Sequence, residues 1–383
     1  MTLLGWAMLA LVLAIAGLGL DLLLGLRRLE HLADAPPCED HRAPLVSIVV
    51  AAKDEAGGIE AAARSLLAQR YPRFEIIAVN DRSSDATGAI LDRLARLDPR
   101  LRVIHVRELP PGWLGKNHAL SVGGAGARGE WLLFTDADVV MEPDALARAV
   151  GLAERRGLDH LAVLPQIHMP GPLLQAFSVG FLCWGLTVLR PWKAGDPRSW
   201  RFVGIGAFNL VRAAAYARAG GHTPIRLRPD DDLKLGKILK RSGARSEFLL
   251  GRDSISVEWY HSVGQVIDGL MKNSFSIVEY RTLAMLAGVP FYVVGGLGPL
   301  AALALGHGPV RLLGAAAVLL QLGILLRGSA ETRTPPYAVL LYPVVSLLFA
   351  WIVLRALVLN LSQGGIVWRG TFYPLAELRR NRV

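Results

Sequence analysis

Carboxylates that follow apolar runs are the residues in this chain most able to do chemistry. Residues 132–140 read LLFTDADVV, which puts Asp136 and Asp138 one residue apart at the end of such a run. An unpaired charge inside a buried strand costs on the order of several kcal/mol, so the pair either lies past the strand or faces a cation. A helix cap in the following turn is the structural alternative. Two aspartates at this spacing can turn oxygens toward one hard divalent cation. Mg²⁺ and Mn²⁺ prefer carboxylate oxygen and water, and usually keep substrate phosphate in their shell. A metal held there can neutralise charge on a departing nucleoside diphosphate. Asp54 follows a second apolar run, VSIVVAA, and Asp81 a third, FEIIAVN. Asn80 and Asp81 could hydrogen-bond a base or ribose, and Lys116, in GWLGKN, could sit near phosphates.

The elements that must position these residues alternate along the chain. Short β-branched runs at 46–52, 74–80, 101–106 and 131–134 read as strands. Helical stretches at 59–69, 87–97 and 116–127 separate them. This order predicts a parallel, doubly wound sheet with helices on both faces. In such sheets ligands bind beyond the carboxyl ends of the strands. Asp54, Asp81 and the Asp136/Asp138 pair each fall just past a strand. Three strands thus deliver acid to one edge, more than capping alone accounts for.

Composition narrows the class. Hydrophobic residues make up 52% of the 383, concentrated at the two ends of the chain. Residues 3–20 carry no charge and are long enough to cross a bilayer. A cleaved signal peptide is the competing reading, but no positive segment precedes the apolar core, and that core is too long. Further apolar stretches cover 283–306, 309–326 and 337–361. The net charge of +10 does not imply nucleic-acid binding, because no basic cluster interleaves with aromatics. Anionic headgroups are the simpler partner for the surplus. Two cysteines, Cys38 and Cys183, exclude a disulfide framework and a zinc cluster.

Six segments in order make the chain resemble a membrane-bound family 2 glycosyltransferase. They are VSIVVAAKDEAGGI (46–59), IIAVNDRSSDAT (76–87), GWLGKNHAL (112–120), FTDADVVMEPDAL (134–146), GIGAFNLVRAAAYARAGGH (204–222) and DDLKLGKILKRSG (231–243). The resemblance implies the GT-A fold, a Rossmann-like, doubly wound mixed sheet, with one N-terminal and two to three C-terminal transmembrane helices. It also implies an inverting, metal-dependent enzyme using Mg²⁺ or Mn²⁺ that moves one sugar from a nucleotide-sugar donor, a UDP-sugar, to a lipid or other amphiphilic acceptor. Asp54 and Asp81 would contact base and ribose, with Lys116 and Asp136 also on the donor. Asp136 and Asp138 would hold the metal. Asp232 matches the family's catalytic base, with Asp231 in place of the usual glutamate. Because Asp230 precedes them, the register could slip by one, and a negatively charged helix N-terminus is the structural alternative.

Gly206, Trp259 and Tyr260 stand on the acceptor side of this assignment. The two aromatics either stack on a sugar or nucleotide, or are core or membrane-interface residues. The Gln-x-x-Arg-Trp motif of processive members is missing, which favours single transfer, as in ceramide and carotenoid-acid glucosyltransferases. A polysaccharide synthase, or a non-catalytic membrane protein on a dead transferase fold, is the alternative.

The expected organisation is an anchor at 1–26, a linker at 27–44, a GT-A domain at 45–282, membrane helices at 283–361 and a basic tail at 362–383. Within the domain, 172–192 would be an interfacial helix, since a span there would separate the donor edge from Asp232. Arg27 and Arg28 place the catalytic domain in the cytoplasm of a multi-pass inner-membrane protein. Three full C-terminal spans would then leave Arg369, Arg379, Arg380 and Arg382 outside. The stretch 283–306, broken by Pro290 and Pro299, is the one expected not to cross. Residues 368–373, WRGTFY, also resemble the Trp-Lys/Arg-Gly-Arg-x-Tyr tail of these enzymes, with Thr371 where arginine is usual.

Overall fold

The structure, a computed structural model, describes residues 2–38 and 43–383, so 39–42 of the expected linker lie outside the described residues. The first half of the chain forms α1 (Leu3–Leu26), β1 (Val46–Ala52), α2 (Ile59–Leu67), β2 (Phe74–Asp81), α3 (Thr87–Leu97), β3 (Leu101–Val106), α4 (Gly115–Ala125), β4 (Trp131–Asp136), β5 (Val139–Met141), α5 (Ala145–Arg156), β6 (His160–Leu164), β7 (Gln166–His168) and α6 (Gly171–Leu189). The second half forms β8 (Asn209–Arg212), α7 (Ala213–Arg218), α8 (Asp231–Arg241), β9 (Ser246–Leu250), β10 (Ile255–Glu258), α9 (Val263–Ile277), α10 (Thr282–Leu305), α11 (Pro309–Thr332), α12 (Tyr342–Ser362), β11 (Gly365–Trp368), β12 (Thr371–Pro374) and α13 (Leu375–Arg380). Two compact units result. One holds Leu29–Ile167, Pro191–Glu258 and Asn381–Val383; the other holds Met1–Arg28, His168–Arg190 and Trp259–Arg380.

The first unit is built on a seven-stranded sheet ordered β3-β2-β1-β4-β8-β6-β9. β2 is buried along its whole length and β1 nearly so, as expected for parallel strands covered on both faces. α2 turns Ile59, Ala62, Ala63 and Leu66 inward, the spacing of one helix face. The parallel order expected from the sequence holds across β3, β2, β1 and β4. It fails at β8, which runs antiparallel to both β4 and β6. The sheet is therefore mixed, as the GT-A resemblance implied.

Register brings the acids level. Ala51 pairs with Val79 on one side and Asp136 on the other, and Ala52 pairs with Asn80. Asp81 and Asp136 are the last residues of β2 and β4, rather than lying just beyond them.

The second unit is helical. α10 packs on α11 and α12, and α1 packs on α11. Among the described residues, five segments are long and apolar enough to cross a membrane: Leu3–Leu26, Gly171–Lys193, Thr282–Leu305, Pro309–Thr332 and Pro336–Ser362. Three ion pairs lie within this unit among the described residues: Asp21 with Arg190 at 2.9 Å, Arg327 with Glu331 at 2.6 Å, and Asp268 with Arg355 at 3.1 Å.

The expected break in 283–306 is not there. α10 runs through Pro290 and Pro299 as one 24-residue helix. Proline removes the amide that would bond the carbonyl four residues earlier. For Pro299 that carbonyl belongs to Gly295, and the Gln321 side chain of α11 donates to it at 2.5 Å. A neighbouring helix thus supplies the missing donor, which is how bundles tolerate such prolines.

The tail is also folded. β11 and β12 form an antiparallel hairpin. Its turn is Arg369–Gly370, both with positive φ, the geometry favoured by tight hairpins.

Candidate active site

The site is assembled in the first unit from four places in the sequence. β4 ends at Asp136, and a two-residue turn carries Asp138 before β5 begins. Thr135 donates to the Ala207 carbonyl at 2.7 Å, fixing the strand end against the loop before β8. Lys116, the second residue of α4, places its ammonium 2.7 Å from Asp136 Oδ1 and 3.6 Å from Asp231 Oδ2. Burial alone would lower the lysine pKa. The carboxylates of Asp136, Asp231 and Asp232 outweigh it and hold Lys116 charged, above the ordinary lysine value.

The acid run 230–232 divides its roles by geometry. Asp230 is buried between Arg228, at 3.0 Å, and Lys234, at 3.5 Å, and serves as an internal counter-ion. Asp231 is buried and turned to Lys116. Asp232 Oδ2 accepts from the Gly206 amide at 2.8 Å. Burial pushes its carboxyl above the ordinary range, and Lys116 opposes the shift. A side chain at Gly206 would run into the Asp136 carboxylate, so glycine lets this loop approach β4 without displacing that carboxylate. A small pocket results, lined by Lys116, Asp136, Gly206, Asn209, His222, Asp231 and Asp232.

The expected donor residues flank this pocket's edge of the sheet. Asp81 is buried and paired with Arg82 by two hydrogen bonds, at 2.7 and 3.0 Å. A Cβ on Gly115 would collide with the Asp81 carboxylate, so the start of α4 sits directly against it. Asp54 is exposed, with φ of 54°. It accepts from the Ser84 amide at 2.7 Å and the Ser84 hydroxyl at 3.1 Å. The Ser84 amide is the main reason its pKa is lowered. Trp259 and Tyr260 lie in the helical unit, their rings tilted against each other with centroids 4.7 Å apart, and Trp259 meets Phe181 of α6 at 4.7 Å.

Asp138 shows whether this edge suits a cation. Burial first, then the like charges of Asp136 and Glu55, push its pKa up to about 6. Asp136 already has the Lys116 ammonium, but Asp138 is left with like charge and burial uncompensated, and a carboxylate in that state suits a hard divalent ion. Among the described residues no group of three or more His, Cys, Asp and Glu gathers as a metal cluster. A bound ion would therefore take its remaining oxygens from ligand and water.

Sequence reasoning passed over several groups that shape the pocket. His222 is buried, bonded to the Tyr216 hydroxyl at 2.6 Å, and held neutral because burial lowers its pKa to about 3. Asn117 is fully buried and donates to the carbonyls of Ile225 and Arg228 at 2.7 and 3.0 Å. Asn117 and His222 both fall inside quoted motifs, so motif membership was the one available signal. Asn381 bonds the loop before α8 at 2.9 and 3.0 Å, and nothing in the sequence marked it.

An acid-lined carboxyl edge on a mixed, doubly wound sheet defines a GT-A glycosyltransferase fold. Residues 47–178 match the family model for glycosyl transferase family 2. The succinoglycan biosynthesis protein ExoO of Rhizobium meliloti is 36% identical over 148 residues, 37% of this chain and 39% of that one. The beta-monoglucosyldiacylglycerol synthase of Trichormus variabilis is 35% identical over 122 residues, 31% of this chain and 26% of the synthase. The matched parts thus span well under half the length of these relatives. The mannosyltransferase PcManGT from Pyrobaculum calidifontis, solved with GDP-Man and Mn²⁺, superposes with a TM-score of 0.56 at 20% identity. That match covers 94% of this chain and 99% of that one, and it speaks for the fold.

Proposed function

We propose that this protein is an inverting, metal-dependent glycosyltransferase that moves a single sugar from a nucleotide-sugar donor, a UDP-sugar, to a lipid or other amphiphilic acceptor at the membrane. The observation that carries the reading is the convergence of Asp136, Asp231 and Asp232 on one half-buried ammonium, Lys116, at the carboxyl edge of the sheet.

In this mechanism Asp54 and Asp81 take the nucleoside, and Lys116 sits near the diphosphate while keeping three carboxylates together. Asp136 and Asp138 would hold Mg²⁺ or Mn²⁺, which supplies positive charge where a leaving nucleoside diphosphate needs it. Asp232 accepts the acceptor hydroxyl's proton as that oxygen bonds the anomeric carbon from the face opposite the diphosphate. The bond to the diphosphate breaks with its electron pair, and the configuration inverts. A carboxylate with a raised pKa is the better proton acceptor, and the Gly206 amide orients it.

The proposed organisation keeps the boundaries expected from the sequence, with the domain at 45–282 in the cytoplasm and membrane helices at 1–26 and 283–361. β6 before α6 and β8 after it are hydrogen-bonded neighbours, which supports an interfacial rather than a crossing helix at 172–192. The five apolar helices and the glycolipid synthase relative support a membrane-bound acceptor. The relative named for succinoglycan biosynthesis favours a second reading, a polysaccharide synthase. Incubating the protein in nanodiscs with labelled nucleotide sugars and a lipid extract tests both. A lipid carrying one sugar supports the proposal, a long product supports the synthase, and donor binding without turnover marks a dead transferase.

A further inference from the structure

The loop that leads into α8 sets the start of the helix that carries Asp231 and Asp232 but has little regular structure of its own. A 3-10 turn at Thr223–Ile225 gives way to 226–230, and α8 starts at Asp231. Such a loop stays in place only if its backbone groups find partners. On one side they come from α4: the Leu114 amide donates to Arg226 O at 2.8 Å, and Asn117 donates to the Ile225 and Arg228 carbonyls. On the other side they come from residues more than 150 positions along the chain. The Leu227 amide donates to Asn381 Oδ1 at 3.0 Å, and Asn381 Nδ2 donates to Pro224 O at 2.9 Å. Arg228, whose guanidinium holds Asp230, reaches the Asn381 carbonyl at 3.5 Å. Nearly two turns into α8, Lys237 donates to the Val383 carbonyl at 2.6 Å.

We propose that Asn381–Val383 is a clamp on this loop, and that Asn381 is a positioning residue for Asp231 and Asp232. Asp231 and Asp232 stand beside Asp136 around the single ammonium of Lys116, and an untethered loop would let the start of α8 drift away from it. Asn117 holds the loop to the helix that carries Lys116, and Asn381 closes it from the opposite side. Together they set the height at which α8 begins, and hence the distance from Lys116 to Asp231 and from Asp232 to the Gly206 amide. Asn381 touches none of these groups and acts through the loop.

For its catalytic readout this inference rests on the transferase reading, so the test includes a measurement that does not. Asn381→Ala removes both side-chain bonds. Asn381→Asp keeps the acceptor for the Leu227 amide and loses the donor to Pro224. Arg382→Ala, at an exposed neighbour, is the control. In the full-length protein in nanodiscs, amide exchange over 223–233 should rise about tenfold in Asn381→Ala, less in Asn381→Asp, and stay unchanged in Arg382→Ala. Transfer kcat should fall about 10- to 100-fold in Asn381→Ala with donor KM within about twofold, as displaced catalytic groups cost rate rather than donor affinity. Unchanged exchange overturns the clamp, whatever the reaction. Faster exchange with unchanged kcat, or with donor KM rising in step, overturns the positioning role. Absence of transfer in the wild type would count against the proposed function alone, and exchange would still decide the clamp.

Discussion

Replacing Asp232 with asparagine separates chemistry from binding more sharply than any other substitution in this site. The amide is nearly isosteric, and its oxygen can still accept from the Gly206 amide, now 2.8 Å from Asp232 Oδ2, so the loop and α8 should keep their places. What is lost is the proton acceptor. A positioned general base contributes about 10²–10⁴-fold in rate, or roughly 3–5 kcal/mol of barrier. Donor affinity should hold or tighten slightly. Asp136 and Asp231 still face Lys116, and one fewer carboxylate makes the pocket kinder to a diphosphate. Asp231→Asn should lose less, because its carboxylate is turned to the lysine and is not the one the Gly206 amide orients. Burial holds the Asp232 carboxyl above the ordinary range. Wild-type transfer should therefore rise with pH through a limb above the usual aspartate value, and the variant should lack that limb. Donor titration beside initial transfer rates in nanodiscs reads all of this. If Asp231→Asn is the dead variant, the register is off by one. If both variants turn over normally, the acidic run is a helix start and nothing more.

Asp138 predicts a metal-linked stability. With its pKa at about 6 in the fold and near 4 in an unfolded chain, the folded state binds the extra proton between those values. Stability therefore falls as pH rises through that window, on the order of 2–3 kcal/mol for metal-free protein. Asp138→Asn should raise the metal-free Tm at pH 7, and Mn²⁺ should raise the Tm of the wild type but not of the variant; equal responses would remove Asp138 from the metal site. Deleting 1–26 should leave the protein in the membrane fraction, because α10, α11 and α12 remain; a soluble, monodisperse product would show that these helices do not insert. Since Asn381–Val383 packs within the catalytic unit, 283–361 should cross the bilayer an even number of times. An Arg382→Cys variant in oriented vesicles should then react with an impermeant maleimide only from the side that exposes the sheet domain, and labelling from the opposite side would contradict that topology.

The strands and helices from β1 to β4 were legible nearly to the residue, because parallel strands buried on both faces leave unbroken β-branched runs between amphipathic helices. The direction of β8 was not legible. Burial sets which residues face inward, but not which way a strand runs. Pro290 and Pro299 read as breaks in the sequence, yet α10 runs through both; at Pro299 the neighbouring Gln321 supplies the missing donor, and that neighbour is a tertiary fact. The acids were legible as types at strand ends. Which acid does what was not, because the division among Asp230, Asp231 and Asp232 depends on Arg228, Lys116 and the Gly206 amide. Asn381 was invisible for the same reason, its partners lying 154 and 157 residues away.

The most direct test of the central claim is transfer itself. Purified protein in nanodiscs with Mn²⁺, a labelled UDP-sugar and a bacterial lipid extract should yield a lipid bearing one sugar of inverted configuration, identified by mass spectrometry and glycosidase sensitivity. EDTA should abolish the product, and Asp138→Asn should nearly do so. Transfer at full rate in EDTA, a retained configuration, or no product from any nucleotide sugar would contradict the account.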